Sequence, residues 1–293
     1  MRNKNNKKKR RSRFLVYVVF GSFHISFLMI QLNIMKYKTR KLAERFVVLL
    51  SNWPEVECIS LNEAADGDTL DPYFALILDV YHNGTIPGPE KRKIMYGADV
   101  TVFESSGGGV KDRFLVGNLP VRLEYKKTQN IEELTAIAES RQDDFWLLKD
   151  SGTYGYYRLA HGEVLFSRTG WIDIIRNKLL NLNDQFWQLM RDTVQSKMEH
   201  SLSDLGAAFF NNDEFYYLIS STLFIKNACL AIFCINHRFE PSHKAYYKQV
   251  VELPVLPESF PAFLETFLRE SEELTKERKY NIAQLIARSI ISL

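Results

Sequence analysis

Residues 74–81 read FALILDVY, eight positions that are apolar except for Asp79 and the closing Tyr81. Pro72 bounds the run on one side and Asn83-Gly84 on the other. An apolar run of this length between turn residues predicts a buried strand. Asp79 inside it is the informative residue. A carboxylate embedded in an apolar strand is costly unless it is paired or holds a metal. Leu119–Tyr125 (LPVRLEY) alternates and reads as a second strand, and it carries Glu124. Two such acids on neighbouring strands suit a shared divalent cation, since magnesium prefers oxygen ligands. A solvated strand end or a salt bridge accounts for each acid equally well at this stage.

The remaining pattern is mixed at first and helical later. Lys36–Leu50 reads as an amphipathic helix with Leu42, Phe46, Leu49 and Leu50 at helical spacing, and Trp53-Pro54 ends it. Val56–Leu61 reads as a short strand. Residues 90–104 carry no clear period, and Ser105–Gly109 (SSGGG) reads as a linker, because no Gly-Lys-Ser/Thr closes it into a phosphate loop. Asn130–Ser140 reads as a helix, and Tyr156–Phe166 as a hairpin turning at His161-Gly162. From about Trp171 the apolar residues recur at helical spacing. Tyr216–Ile235 reads as a buried central helix, and Lys226 and Asn227 within it argue against a membrane span. Phe260, Phe263, Leu264, Phe267 and Leu268 form a further amphipathic helix, and the chain closes with Ile282, Leu285, Ile286 and Ile290.

Composition excludes several classes. With 46% hydrophobic and 25% charged residues in 293, the chain has the balance of a globular protein of one or two domains. Cys58, Cys229 and Cys234 are too few for a disulfide framework and fit a reducing compartment. The net charge of +3 conceals an asymmetry. Residues 1–13 hold eight Lys and Arg and no acid, whereas residues 35–293 hold 30 basic and 35 acidic residues. That acidic body gives no electrostatic footprint for nucleic acid. Residues 14–34 are 21 uncharged, mostly apolar positions, long enough for a signal anchor. Met35 also reads as the ordinary start of a soluble protein. A leader translated from a misassigned start and a membrane anchor both stay open.

Other constellations are weaker. Glu63, Asp66, Asp68 and Asp71 crowd one loop without EF-hand spacing, and Asp71 is the one placed to view a site at the strand mouth. Cys229 and Cys234 lie on the apolar helix, where packing is the simpler role. Arg238, His243, Lys244 and Lys248 in Asn236–Lys248 have the charge to face an anion, or sit in a solvated interhelical turn.

Taken in order, three stretches resemble the nucleotidyltransferase superfamily, in particular bacterial members that join a minimal nucleotidyltransferase domain to a helical bundle, as aminoglycoside nucleotidyltransferases do. FALILDVY followed 45 residues later by VRLEY is similar to the acid-bearing strands. GEVLFSRTGWIDIIRNKL resembles the segment after the last catalytic strand, with Ser167 where the family often has Asp. CINHRFEPSHKAYYKQVVELPVLP is similar to the helical domain's motif, with Ala245 where Trp stands. The resemblance implies that Asp79 is one member of an Asp-x-Asp pair and Glu124 the third carboxylate, both catalytic and metal-binding, with Asp71 assisting on magnesium. The second member of the pair would fall on Ile77 or Tyr81, neither of which binds magnesium. It further implies nucleotide binding at Ser60 and at Lys244.

The expected fold class is α+β: a small mixed β-sheet domain over 35–178, then an all-helical bundle over 179–293, after a leader at 1–34. The function implied is magnesium-dependent transfer of a nucleotidyl group from a nucleoside triphosphate to a small-molecule or protein hydroxyl. The alternative is a catalytically degenerate nucleotide-binding or protein-interaction module of the same fold. Neither expects nucleic acid. The expected location is cytoplasmic, or membrane-anchored if residues 14–34 are an anchor.

Overall fold

A computed structural model describes residues 37–62, 76–140, 153–269 and 274–293. The basic and apolar leader, Asp71 and the other acids of its loop lie outside the described residues. The architecture is α+β, with a six-stranded mixed sheet and a set of helices.

The chain divides into two compact units. The first holds helix α1 (residues 37–51), strands β1 (Val56–Leu61) and β2 (Leu76–His82), helix α2 (Pro89–Tyr96), and strands β3 (Val100–Ser106), β4 (Lys111–Val116) and β5 (Leu119–Lys127). A last strand, β6 (Glu163–Ser167), returns to it from later in the chain. The sheet order is β3-β4-β5-β2-β1-β6. Only β2 and β5 run parallel, and every other neighbouring pair is antiparallel. Strand β2, read as a buried strand, is buried at every position, and so is β1. Side chains alternate across a strand, so Leu76, Leu78 and Val80 of β2 share one face with Val121, Leu123 and Tyr125 of β5. That face packs with Leu42, Ala43, Phe46 and Leu50 of α1 in one core. Asp79 and Glu124 are on the opposite face.

Two segments of this unit differ from expectation. Residues 90–104 supply α2 and most of edge strand β3, whose burial follows no clean alternation. Gly107–Gly109 form the turn between β3 and β4 rather than a linker, and all three have positive φ (63°, 68° and 88°), which glycine adopts without steric cost. A fully buried Arg92 anchors that turn. Its Nε and Nη2 each lie 2.7 Å from an oxygen of buried Asp112, and it donates to the carbonyls of Pro87 and Gly109. Tyr96 donates to the same carboxylate, and Arg92 stacks over the Tyr125 ring.

The second unit spans Gln129–Gly162 and Gly170–Leu293. Its helices are α3 (Thr128–Ser140), α4 (Tyr154–His161), α5 (Trp171–Leu180), α6 (Asp184–Phe210), α7 (Glu214–Ile235), α8 (Tyr246–Val251), α9 (Phe260–Leu268) and α10 (Lys276–Ile291). The compact units therefore divide at Thr128, not near 178. The reason is that α3, α4 and α5 are tied to one another. Tyr156 donates to Leu134 O, Trp171 Nε1 to Glu132, and Lys178 pairs with Glu139. The expected hairpin over 156–166 is instead helix α4, ended at Gly162, followed by β6.

Long helices α6 and α7 are joined by a three-residue turn. Asp213 caps α7 by accepting from Tyr216 N, as Asn183 caps α6 by accepting from Phe186 N. Asn227 binds α7 to α6 through Lys197 O and Ser201 Oγ. The expectation of a buried α7 holds for its second half only. Ala228–Cys234 are buried, whereas Phe215, Leu218, Ile219 and Leu223 are exposed. By length and composition α7 could cross a bilayer, but half of that stretch is buried within the protein.

Candidate functional site

The two acids singled out by sequence are direct neighbours. In the parallel pairing of β2 and β5, Asp79 stands opposite Glu124. The row continues on both sides. Ser60 of β1 stands opposite Asp79, and Lys111 of β4 opposite Glu124. A polar row thus crosses four adjacent strands, on the sheet face away from the α1 core. Asp79 is fully buried and Glu124 is 8% exposed.

What neutralises the acids is protein, not solvent. Lys126 Nζ lies 2.9 Å from Asp79 Oδ1 and 3.7 Å from Glu124 Oε2. Arg122 Nε lies 3.0 Å from Glu124 Oε1, and Lys111 Nζ 3.6 Å from the same oxygen. The local sequence dictates this. In Arg122-Leu-Glu-Tyr-Lys126 the charged residues are two apart, so a strand must present all three on one face. Leu123 and Tyr125 go to the core. Tyr81, one pleat beyond Asp79, also points its hydroxyl at Asp79, 3.5 Å away.

Among the described residues, which do not include Asp71, the donors around Asp79 and Glu124 are poor ones for magnesium. Two carboxylates face three basic side chains, so the cluster carries a positive excess before any ion enters. Magnesium takes one or two protein carboxylates and completes its octahedron with water and substrate phosphate; among the described residues no third His, Cys, Asp or Glu joins these two. Lys126 stands between the acids where their shared cation would go.

Ser60 does not sit in a turn, as a phosphate-cradling serine would. It is internal to β1, 2% exposed, and its hydroxyl makes no hydrogen bond among the described residues. Lys244 belongs to the second unit and is exposed there. Its segment is more built than a solvated turn. Asn236 exchanges two hydrogen bonds with Val255, Thr153 Oγ1 accepts from Glu240 N, and Tyr246 donates to Glu240.

Comparison with known proteins adds little to this geometry. No protein-family model matches the chain, and no curated protein matches it. The chain is similar in structure to a nucleotidyltransferase-like protein from Exiguobacterium sibiricum 255-15. That likeness covers 88% of this chain and 74% of the other at 13% identity, with a TM-score of 0.43. The site is therefore read from this chain's own residues.

Sequence reasoning found both acids and missed their cations. Arg122 and Lys126 flank Glu124 at a spacing of two, a signal available in the strand that already drew notice. Lys111 was out of reach, since β4 itself carried no recognised pattern.

Proposed function

We propose that this chain is a nucleotidyltransferase-like binding module that takes a nucleotide without magnesium and transfers no nucleotidyl group. The observation that carries this reading is Lys126, an internal ammonium between Asp79 and Glu124. With Lys111 and Arg122 beside it, the row has one positive charge beyond its two acids. That excess complements an anion and opposes a divalent cation. The nucleotide as ligand rests on the three resembling stretches of sequence.

The catalytic reading, transfer to a small-molecule or protein hydroxyl, is favoured by one observation, the direct opposition of the two carboxylates. It requires Lys126 to leave them.

One experiment separates the two. ATP, CTP and GTP are titrated calorimetrically into the full chain, with magnesium and with EDTA, and pyrophosphate release is followed. Nucleotide binding that survives EDTA, with no pyrophosphate formed, is the expected result. Binding that needs magnesium and vanishes in a folded Asp79→Ala protein would establish the catalytic reading instead.

A further inference from the structure

A second feature of the same sheet borders the polar row and shares Arg122 with it. At the ends of β2, β4 and β5 and against edge strand β3, a cavity of about 460 Å³ opens. That lies within the roughly 300–1,000 Å³ range of small-molecule sites. Ile77, Val102, Leu115 and Pro120 supply apolar walls, and Arg113, Arg122 and Glu104 supply charge.

Three observations set this cavity apart, the last two of them aspects of one bulge. First, Arg113 and Arg122 stand directly opposite each other across the antiparallel β4–β5 pair. Like charges in that relation destabilise a sheet unless something neutralises them. Arg122 has Glu124. Arg113 has no ion pair or hydrogen bond among the described residues, although Glu104 is its cross-strand partner on β3. Second, the β3–β4 register slips between Thr101 and Glu104, and bulges of this kind re-aim side chains. Third, Val102 on the wall has φ of 51°, a left-handed conformation that a β-branched residue adopts only under constraint.

We propose that this cavity binds a small phosphate monoester with an apolar body. The phosphate is assigned to Arg113 and Arg122, and the body to the wall of Ile77, Leu115 and Pro120. A planar carboxylate satisfies one guanidinium fork, whereas a tetrahedral phosphate presents three oxygens and spans two forks on adjacent strands. Glu104 limits the charge that fits: a single headgroup sits beside the arginines, while an extended polyphosphate meets a carboxylate. This site shares Arg122 with the Asp79–Glu124 row, whereas Arg113 takes no part in that row, so substitution of Arg113 separates this inference from the nucleotide reading above.

The test uses the full chain, with phenyl phosphate as probe and phenol, benzoate and inorganic phosphate as controls, measured by calorimetry. Phenyl phosphate is expected to bind at least tenfold more tightly than any control. Arg113→Ala should weaken it tenfold or more and Arg113→Lys by less, because the charge remains and the fork is lost. Glu104→Gln should tighten it severalfold, an effect that a purely structural role does not produce. Both residues are exposed, so circular dichroism should show the variants folded. Benzoate binding as tightly as phenyl phosphate would overturn the phosphate assignment. Equal affinity in wild type and Arg113→Ala, or no binding of phenyl phosphate at all, would overturn the site. Retention of the cavity site with no nucleotide binding would leave this inference standing and remove the proposed function alone.

Discussion

Lys126 Nζ stands 2.9 Å from Asp79 Oδ1, one strand away, and Asp79 has no solvent exposure. A buried carboxylate stripped of its cation retains its desolvation cost without compensation. Removing one partner of such a pair costs about 3–5 kcal/mol. Lys126→Ala should therefore lower the urea midpoint strongly. Adding Asp79→Asn to it should recover part of the loss, because the two effects are not additive. Magnesium should leave the wild-type midpoint unmoved. A wild-type midpoint that rises with magnesium would show that the acids take the metal in spite of Lys126.

The Arg92–Asp112 pair is the second buried ion pair of the sheet unit, and it has a different task. Both side chains are almost wholly inaccessible, and Arg92 also holds Pro87 O and Gly109 O. A lysine offers one ammonium where this site uses a planar fork. Arg92→Lys should cost about 3 kcal/mol or more. It should also release the Gly107–Gly109 turn, so limited proteolysis should gain a cut there before the rest of the unit is attacked. A variant with an unchanged midpoint and digestion pattern would mean that the turn is held by its own backbone.

Burial of the thiols gives a simpler expectation. Cys58, Cys229 and Cys234 are all buried, and none is in a disulfide. Burial pushes Cys229 up to about 12, and burial followed by the Glu240 charge does the same for Cys234. Reactivity needs the thiolate and access to it. A disulfide-exchange reagent at pH 8 should titrate no thiol in the native protein and three after denaturation in guanidinium. A fast-reacting native thiol would place a cysteine in an open, electropositive setting that this structure does not have.

The parts of the fold legible in the sequence were those under the strongest burial constraint. VECISL and LILDVY have no solvent face in the structure, and a strand covered on both faces reads as a mostly apolar run. Edge strand β3 mixes half-buried and exposed positions without alternation and breaks register at its bulge, so periodicity carried no signal there. Tyr156 and Tyr157 favour strands by residue type. They are buried side by side on α4 because α4 packs around them, and Tyr157 also reaches Gln249. Tertiary packing overrode local preference. At the site, a buried Asp79 was conspicuous because charge in an apolar run is rare. The cations that answer it were ordinary in composition and became meaningful through strand register.

Two histidines contribute to the response to acid. Burial is the largest cause lowering the pKa of His82, opposed by its bond to Gly84 O and reinforced by Lys127 and Arg92. Burial also lowers His161 most, followed by the charges of Arg238 and Arg176. In each case the folded value lies below the ordinary 6.5, so between the two values the unfolded chain binds more protons. Stability then rises with pH across that window and is flat just above it. Unfolding free energy measured in urea should be constant from pH 8 to about pH 7 and fall as the pH drops below about 6.5. His82→Gln and His161→Gln keep a neutral polar side chain, and each should flatten part of that slope. The effects should add, because the groups that shift the two histidines have no residue in common. A slope left intact in the double variant would assign the acid response to the carboxylates, and neither imidazole would then be held neutral in the native protein.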